Sequence, residues 1–149
     1  MDEIKLISGI IVNNLKIIDH PKGEILHLFK QNDLGYYNFG EAYISKIKFN
    51  CIKAWKRHLK MTSNLIIPIG EVKIVIYDNR IDSPTFKFTN EFVLSIYNYK
   101  RITIPPKLWY GFKGLSQTDS YIINFSNIIH DPLEQESADL SNFELNYKW

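Results

Sequence analysis

The sequence predicts an all-β fold, a sandwich or barrel of many short strands with little helix. Three observations carry this. Ile, Val, Tyr, Phe and Thr are plentiful, and branched and aromatic side chains suit a pleated, half-buried surface. Short apolar runs recur at modest intervals along the whole chain. Between them stand clusters of Gly, Pro, Asn and Asp, which punctuate strands with turns.

In chain order, apolar runs at 7–12 and 15–18 lead into the turn Asp19-His20-Pro21-Lys22-Gly23. A run at 25–29 ends at Asn32-Asp33-Leu34-Gly35, and a longer one covers 42–49. Ala54 to Lys60 has some helical propensity, but it sits between β-rich segments and reads as a strand. Runs at 65–69 and 72–77 flank Pro68-Ile69-Gly70; Asp78-Asn79-Arg80 and Asp82-Ser83-Pro84 mark the next turns. Runs at 92–96, 101–104 and 121–125 follow. The tail from Asp131 is acidic at first and reads as a short helix, then a strand-like piece from Phe143 to Trp149.

Composition narrows the function classes. With 149 residues the chain has room for one domain, expected to span 1–149. It is 45% hydrophobic and 14% aromatic, enough for a sizeable core. Eighteen basic against sixteen acidic side chains leave a charge of +2, so no basic nucleic-acid face is expected. The lone Cys51 excludes an intrachain disulfide and a multi-cysteine metal site; within a β-rich run it is expected to be buried. No apolar run nears the roughly 20 residues that span a bilayer. The acidic start Met1-Asp2-Glu3 does not read as a signal peptide. A cytoplasmic protein without a membrane partner is the expectation.

Several segments then resemble the dTDP-4-dehydrorhamnose 3,5-epimerase family, a branch of the cupin-type jelly rolls. In order they are Lys22-Gly23-Glu24-Ile25, Lys53-Ala54-Trp55-Lys56-Arg57-His58, Gly70-Glu71-Val72, Asp78-Asn79-Arg80 with Ser83-Pro84-Thr85-Phe86, Leu94-Ser95, Ile104-Pro105-Pro106 through Gly111-Phe112, and Leu115-Ser116. The resemblance implies a cupin-like double-stranded β-helix jelly roll, a homodimer, and a nucleotide-diphosphate sugar with a ketone at C4 as ligand. The implied chemistry inverts a centre beside that ketone. A base removes the C–H, donors hold the enolate oxygen, and an acid returns a proton on the other face. No metal or redox cofactor is needed.

His58 falls at the family's catalytic histidine, and an imidazole suits the role of base. On a regular strand Ala54, Lys56, His58 and Lys60 would share a face. The resemblance also shows departures. Tyr110 replaces a second family histidine; it reads either as a substitute acid or as a buried aromatic. Asn64 stands at a family lysine, and the family's acidic tyrosine falls near Ile123 or Asn124, where there is no phenol. Asp131 and Asp139 are the candidates for the late aspartate that orients the histidine. Lys22 occupies the place of an arginine that contacts the nucleotide across the dimer. Lys56, Arg57 and Lys60 are phosphate candidates, because ammonium and guanidinium groups pair with phosphate oxygens. Arg80 reads as the partner of Asp78. Trp55 and Trp109 read as stacking platforms or as core.

No metal site is expected. His58 is flanked two places away by Lys56 and Lys60, and His20, His27 and His130 make no ligand spacing. Glycine-rich phosphate loops, serine-nucleophile elbows and Cys–His signatures are missing too. The leading reading is a sugar-nucleotide epimerase serving polysaccharide synthesis. A non-catalytic sugar-nucleotide-binding cupin and a keto-sugar isomerase are the alternatives.

Overall fold

In the computed structural model, residues 4–149 are described, and almost every element is a strand. The strands are β1 (Ile11–Asn14), β2 (Ile17–Ile18), β3 (Ile25–Leu26), β4 (Glu41–Ile47), β5 (Ile52–His58), β6 (Ser63–Ile69), β7 (Val72–Tyr77), β8 (Thr89–Leu94), β9 (Lys100–Ile104), β10 (Trp109–Gly114), β11 (Ser120–Ser126) and β12 (Gln135–Ser137). Two five-stranded antiparallel sheets form, ordered β1-β9-β6-β11-β4 and β12-β5-β10-β7-β8, with β2 and β3 as a separate pair. From β4 onward the chain mostly crosses from one sheet to the other at each new strand. That alternation is the double-sheet jelly roll.

Alternation of side chains fills the space between the sheets. Ile47, Leu65, Ile67, Ile102, Ile104 and Ile122 from the first sheet meet Val72, Ile74, Ile76, Leu94 and Tyr110 from the second. Each of these aliphatic side chains contributes about 1.5–3 kcal/mol by leaving water. The first sheet is covered on its other face by the segment before β4. There Arg101, fully buried, donates to Asp33 Oδ2, to Leu28 O and to Leu34 O, with its guanidinium 4.2 Å from the Phe29 ring centre.

Two glycines are required by close approach. Gly70, at φ +83°, makes the tight turn from β6 to β7, and a Cβ there would lie 2.2 Å from Ser120 Oγ. Gly111 lies against a bulge in β5; a Cβ would fall 2.4 Å from Ala54 Cβ. Around that bulge Tyr110 pairs with Lys56 but Phe112 pairs with Lys53, so three residues of β5 answer two of β10.

The Asp78 turn is locked as its sequence suggests. Arg80 grips both carboxylate oxygens at 2.8 and 2.9 Å, and the hydroxyls of Ser83 and Thr85 donate to Oδ2 at 2.6 and 2.7 Å. Burial pushes this carboxyl up, but those donors outweigh it and hold the pKa at about 2, below the ordinary 3.8. The stability this confers, about 2 kcal/mol, is present above pH 4 and fades as pH falls through 2. Asp78→Asn is therefore expected to lower denaturant stability by about 2 kcal/mol at pH 7. Its deficit against the parent protein should shrink between pH 4 and pH 2.

Two expectations are corrected. Cys51 is exposed, because the chain turns there through Asn50 at φ 58° before β5 begins. The tail forms a short 3-10 turn over Phe143–Leu145 rather than a strand. Its aromatic residues Tyr147 and Trp149 instead pack on Trp55, at ring separations of 6.2 and 5.3 Å.

Candidate active site

Between β4 and β5 the two sheets part into a cleft of about 670 Å³. Ser45 of β4, Lys53 and Lys56 of β5, and Tyr110 and Phe112 of β10 line it, and the tail closes it with Ser137, Asp139 and Asn142. The β5 bulge explains why two lysines of opposite parity both reach it. It puts Lys53 and Lys56 on the face of Phe112 and Tyr110. Lys53 was invisible to an alternation argument for this reason. Lys53 Nζ donates to Ser45 Oγ at 3.2 Å and to Lys46 O at 2.7 Å, tying the two sheets across the cleft. Burial, helped by the nearby Lys53 charge, pulls the Lys56 pKa down.

His58 lies at the inner end of β5, on the same face as Lys56. It is 3% exposed, and its ring centre is 6.0 Å from that of Tyr110. Its Nδ1 is 2.5 Å from Glu134 Oε1. Glu134 is itself 2% exposed, and its other oxygen accepts from the backbone N–H of Lys60 at 3.0 Å and of Met61 at 3.1 Å. Burial opposes ionisation of Glu134, but the His58 hydrogen bond and the two backbone donors prevail and lower its pKa. An ionised carboxylate accepts only, so the proton between the pair sits on Nδ1. Burial lowers the His58 pKa more than Glu134 raises it, which keeps the ring neutral. His58 Nε2 is then a bare lone pair, and it is buried without a hydrogen-bond partner. Buried polar atoms are nearly always paired, so this nitrogen is marked for a ligand.

Glu134 is the carboxylate that sequence reasoning missed. Asp131 instead caps the 3-10 turn over Pro132–Glu134, accepting from Leu133 N at 2.9 Å, and Asp139 lies on the cleft wall. The signal was present in Asp131-Pro132-Leu133-Glu134: a capping Asp and a Pro in the first turn fix the short turn that carries Glu134 inward.

The other expected site residues divide. Tyr110 lines the cleft but is 4% exposed, its hydroxyl 3.4 Å from Ser63 Oγ. Burial pushes its phenol pKa far up, so it stays protonated. Arg57 turns away from the cleft, paired with Glu136 and stacked 4.6 Å over Trp109. Trp55 is buried under the tail. Lys60 is exposed beyond the end of β5, and Lys22 is exposed on the turn between β2 and β3; neither lines the cleft. Asn64 and Asn124 are buried and committed to internal bonds. Asn64 accepts from Thr103 Oγ1 at 2.6 Å and donates to Gly35 O at 3.3 Å, while Asn124 Oδ1 accepts from Asn64 N at 3.0 Å. Among the described residues no group of three or more His, Cys, Asp or Glu gathers, and no helix is long and apolar enough to cross a membrane.

No family model matches the chain. A Haloferax volcanii protein described as a probable low-salt glycan biosynthesis epimerase is 30% identical over 128 residues, covering 84% of this chain and 81% of that protein. The solved structure of a dTDP sugar isomerase from Desulfovibrio desulfuricans superposes with a TM-score of 0.93 at 32% identity, covering 96% of this chain and 92% of the other. The dTDP-4-dehydrorhamnose 3,5-epimerase of Bacillus anthracis shares the fold alone, with a TM-score of 0.85 at 18% identity over 95% of this chain and 85% of its own. Sequence and fold together show that the chain belongs to the family of sugar epimerases related to dTDP-4-dehydrorhamnose 3,5-epimerase.

Proposed function

We propose that this protein is an enzyme that epimerises a nucleotide-diphosphate-linked 4-keto-6-deoxy sugar in glycan or surface-polysaccharide synthesis. The observation that carries the reading is the bare, buried Nε2 of His58, backed through Nδ1 by the ionised Glu134, beside Tyr110, which lines a cleft with Lys53 and Lys56. The similarity to a glycan biosynthesis epimerase and a dTDP sugar isomerase supports the substrate class.

In this reading each residue has a role. Lys53 and Lys56 receive the diphosphate, where low local dielectric strengthens the pairing. Nε2 of His58 takes the proton from the carbon beside the ketone, and the C–H electron pair moves onto the C4 oxygen. Glu134 stays ionised and steadies the imidazolium that forms, as the carboxylate of a catalytic triad does. Protonated Tyr110 offers a hydroxyl donor beside the imidazole. Because His58 is closed off from solvent, a sugar ring reaches it by displacing the Tyr110 ring. Removing that ring should open the floor of the cleft: in Tyr110→Ala, His58 is expected to react with diethyl pyrocarbonate at least ~10-fold faster than in the parent protein, where burial protects it.

The exposed apolar side chains of Ile25 (57%), Ile44 (64%) and Ile69 (56%) support a homodimer, in which Lys22 of one copy reaches the cleft of the other. The reading is tested with dTDP-4-keto-6-deoxyglucose in heavy water. Deuterium should enter C3, C5 or both, with inversion. Binding without exchange would favour the non-catalytic reading, and migration of the carbonyl to C3 would favour the isomerase.

A further inference from the structure

Inversion needs a donor on the sheet opposite His58, and Tyr110 lies on the same sheet, 4% exposed. Tyr43 meets the requirement. It stands on β4 in the opposite sheet and shares a face with Ser45, which lines the cleft, and with Ile47, which lies in the core between the sheets. It is 40% exposed at the open edge. Its hydroxyl oxygen accepts from Asn124 Nδ2 at 2.9 Å, and Asn124 is its direct partner in β11.

The orientation of that amide is fixed. Asn124 Oδ1 is occupied by the Asn64 N–H, so the amide NH2 must meet the phenol. A phenol oxygen that accepts from an amide keeps its own O–H free to donate. A fixed donor facing the same oxygen also steadies the phenolate that remains after donation. The 2%-exposed Asn124 thus ties this phenol to the buried backbone of β6.

We propose that Tyr43 is the proton donor that completes the inversion, positioned by Asn124; this rests on the epimerase reading above. His58 Nε2 takes the C–H proton and the electron pair moves to the C4 oxygen. The enolate then collapses, and the carbon takes the Tyr43 O–H proton on the face away from His58. The phenolate, held by the Asn124 amide, regains a proton from water, and the His58 imidazolium gives one back. The net change is the configuration at one carbon.

The test uses Tyr43→Phe, which keeps the ring and removes the hydroxyl, with dTDP-4-keto-6-deoxyglucose in heavy water. Inverted product should form about 100-fold more slowly. Deuterium should still enter the same carbon with configuration retained, because His58 can return it. A Tyr43→Phe variant that inverts as fast as the parent protein overturns the assignment while leaving the epimerase reading intact. A parent protein that exchanges no deuterium overturns both.

Discussion

His58→Asn should abolish deuterium exchange into the sugar, with a loss of about 10³-fold or more, while the protein still folds and binds the nucleotide. General-base catalysis contributes about 10²–10⁴-fold, and His58 Nε2, beside the cleft-lining Tyr110, is buried with no hydrogen-bond partner. Asparagine preserves a hydrogen bond to Glu134, so the buried carboxylate keeps a partner and the fold is spared. Binding should be spared because Lys53 and Lys56, the proposed holders of the diphosphate, are untouched. Exchange is read by the loss of the C3 and C5 proton signals, and binding by calorimetry with dTDP. Persisting exchange in a folded His58→Asn protein would remove the imidazole from the mechanism.

Glu134→Gln should damage both stability and rate. The amide oxygen can still accept from Lys60 N–H and Met61 N–H, but its NH2 then faces Nδ1 of His58 and drives the ring proton onto Nε2. Replacing these charge-assisted bonds by neutral ones costs about 1 kcal/mol. The rate should fall about 10²- to 10⁴-fold, because nothing then steadies imidazolium or fixes the proton on Nδ1. Loss of the Glu134 charge also lowers the His58 pKa further. The pH dependence follows in sign. With the folded His58 pKa below 6.5, the parent enzyme should keep its rate as pH falls through 6.5 and lose it only below. Over the same interval the unfolded chain takes up the proton that the folded site resists, so stability falls as pH drops below 6.5. Denaturant titrations and pH–rate profiles of the two proteins check both effects.

How much of this was legible in the sequence depends on how local the cause was. β7 is read to the residue, because Val72–Tyr77 is a branched run closed by Gly70 and Asp78. The Asp78–Arg80 turn is likewise local. β10 is not a clear run, since Trp109–Gly114 contains Gly111 and Gly114; those glycines are demanded by the bulge in the neighbouring strand and by the Lys48 carbonyl, not by the strand itself. The same bulge broke the expected alternation, so Lys53 as well as Lys56 came to line the cleft. Glu134 and Tyr43 lie 76 and 81 residues from the partners that give them meaning. A motif spaced along the chain cannot announce such pairs. The similarity to known epimerases placed His58 but pointed to a tyrosine near Asn124; the structure shows a phenol next door, hydrogen-bonded to that very asparagine.

The tautomer of His58 tests the account most directly. In protein labelled with 15N at histidine, the nitrogen spectrum at pH 7 should show Nδ1 as a protonated, pyrrole-type nitrogen and Nε2 as a bare, pyridine-type nitrogen. That pattern should persist as pH is lowered past 6.5. A proton found on Nε2, or a ring charged on both nitrogens at neutral pH, would mean that His58 has no lone pair to offer and that the base must be sought elsewhere.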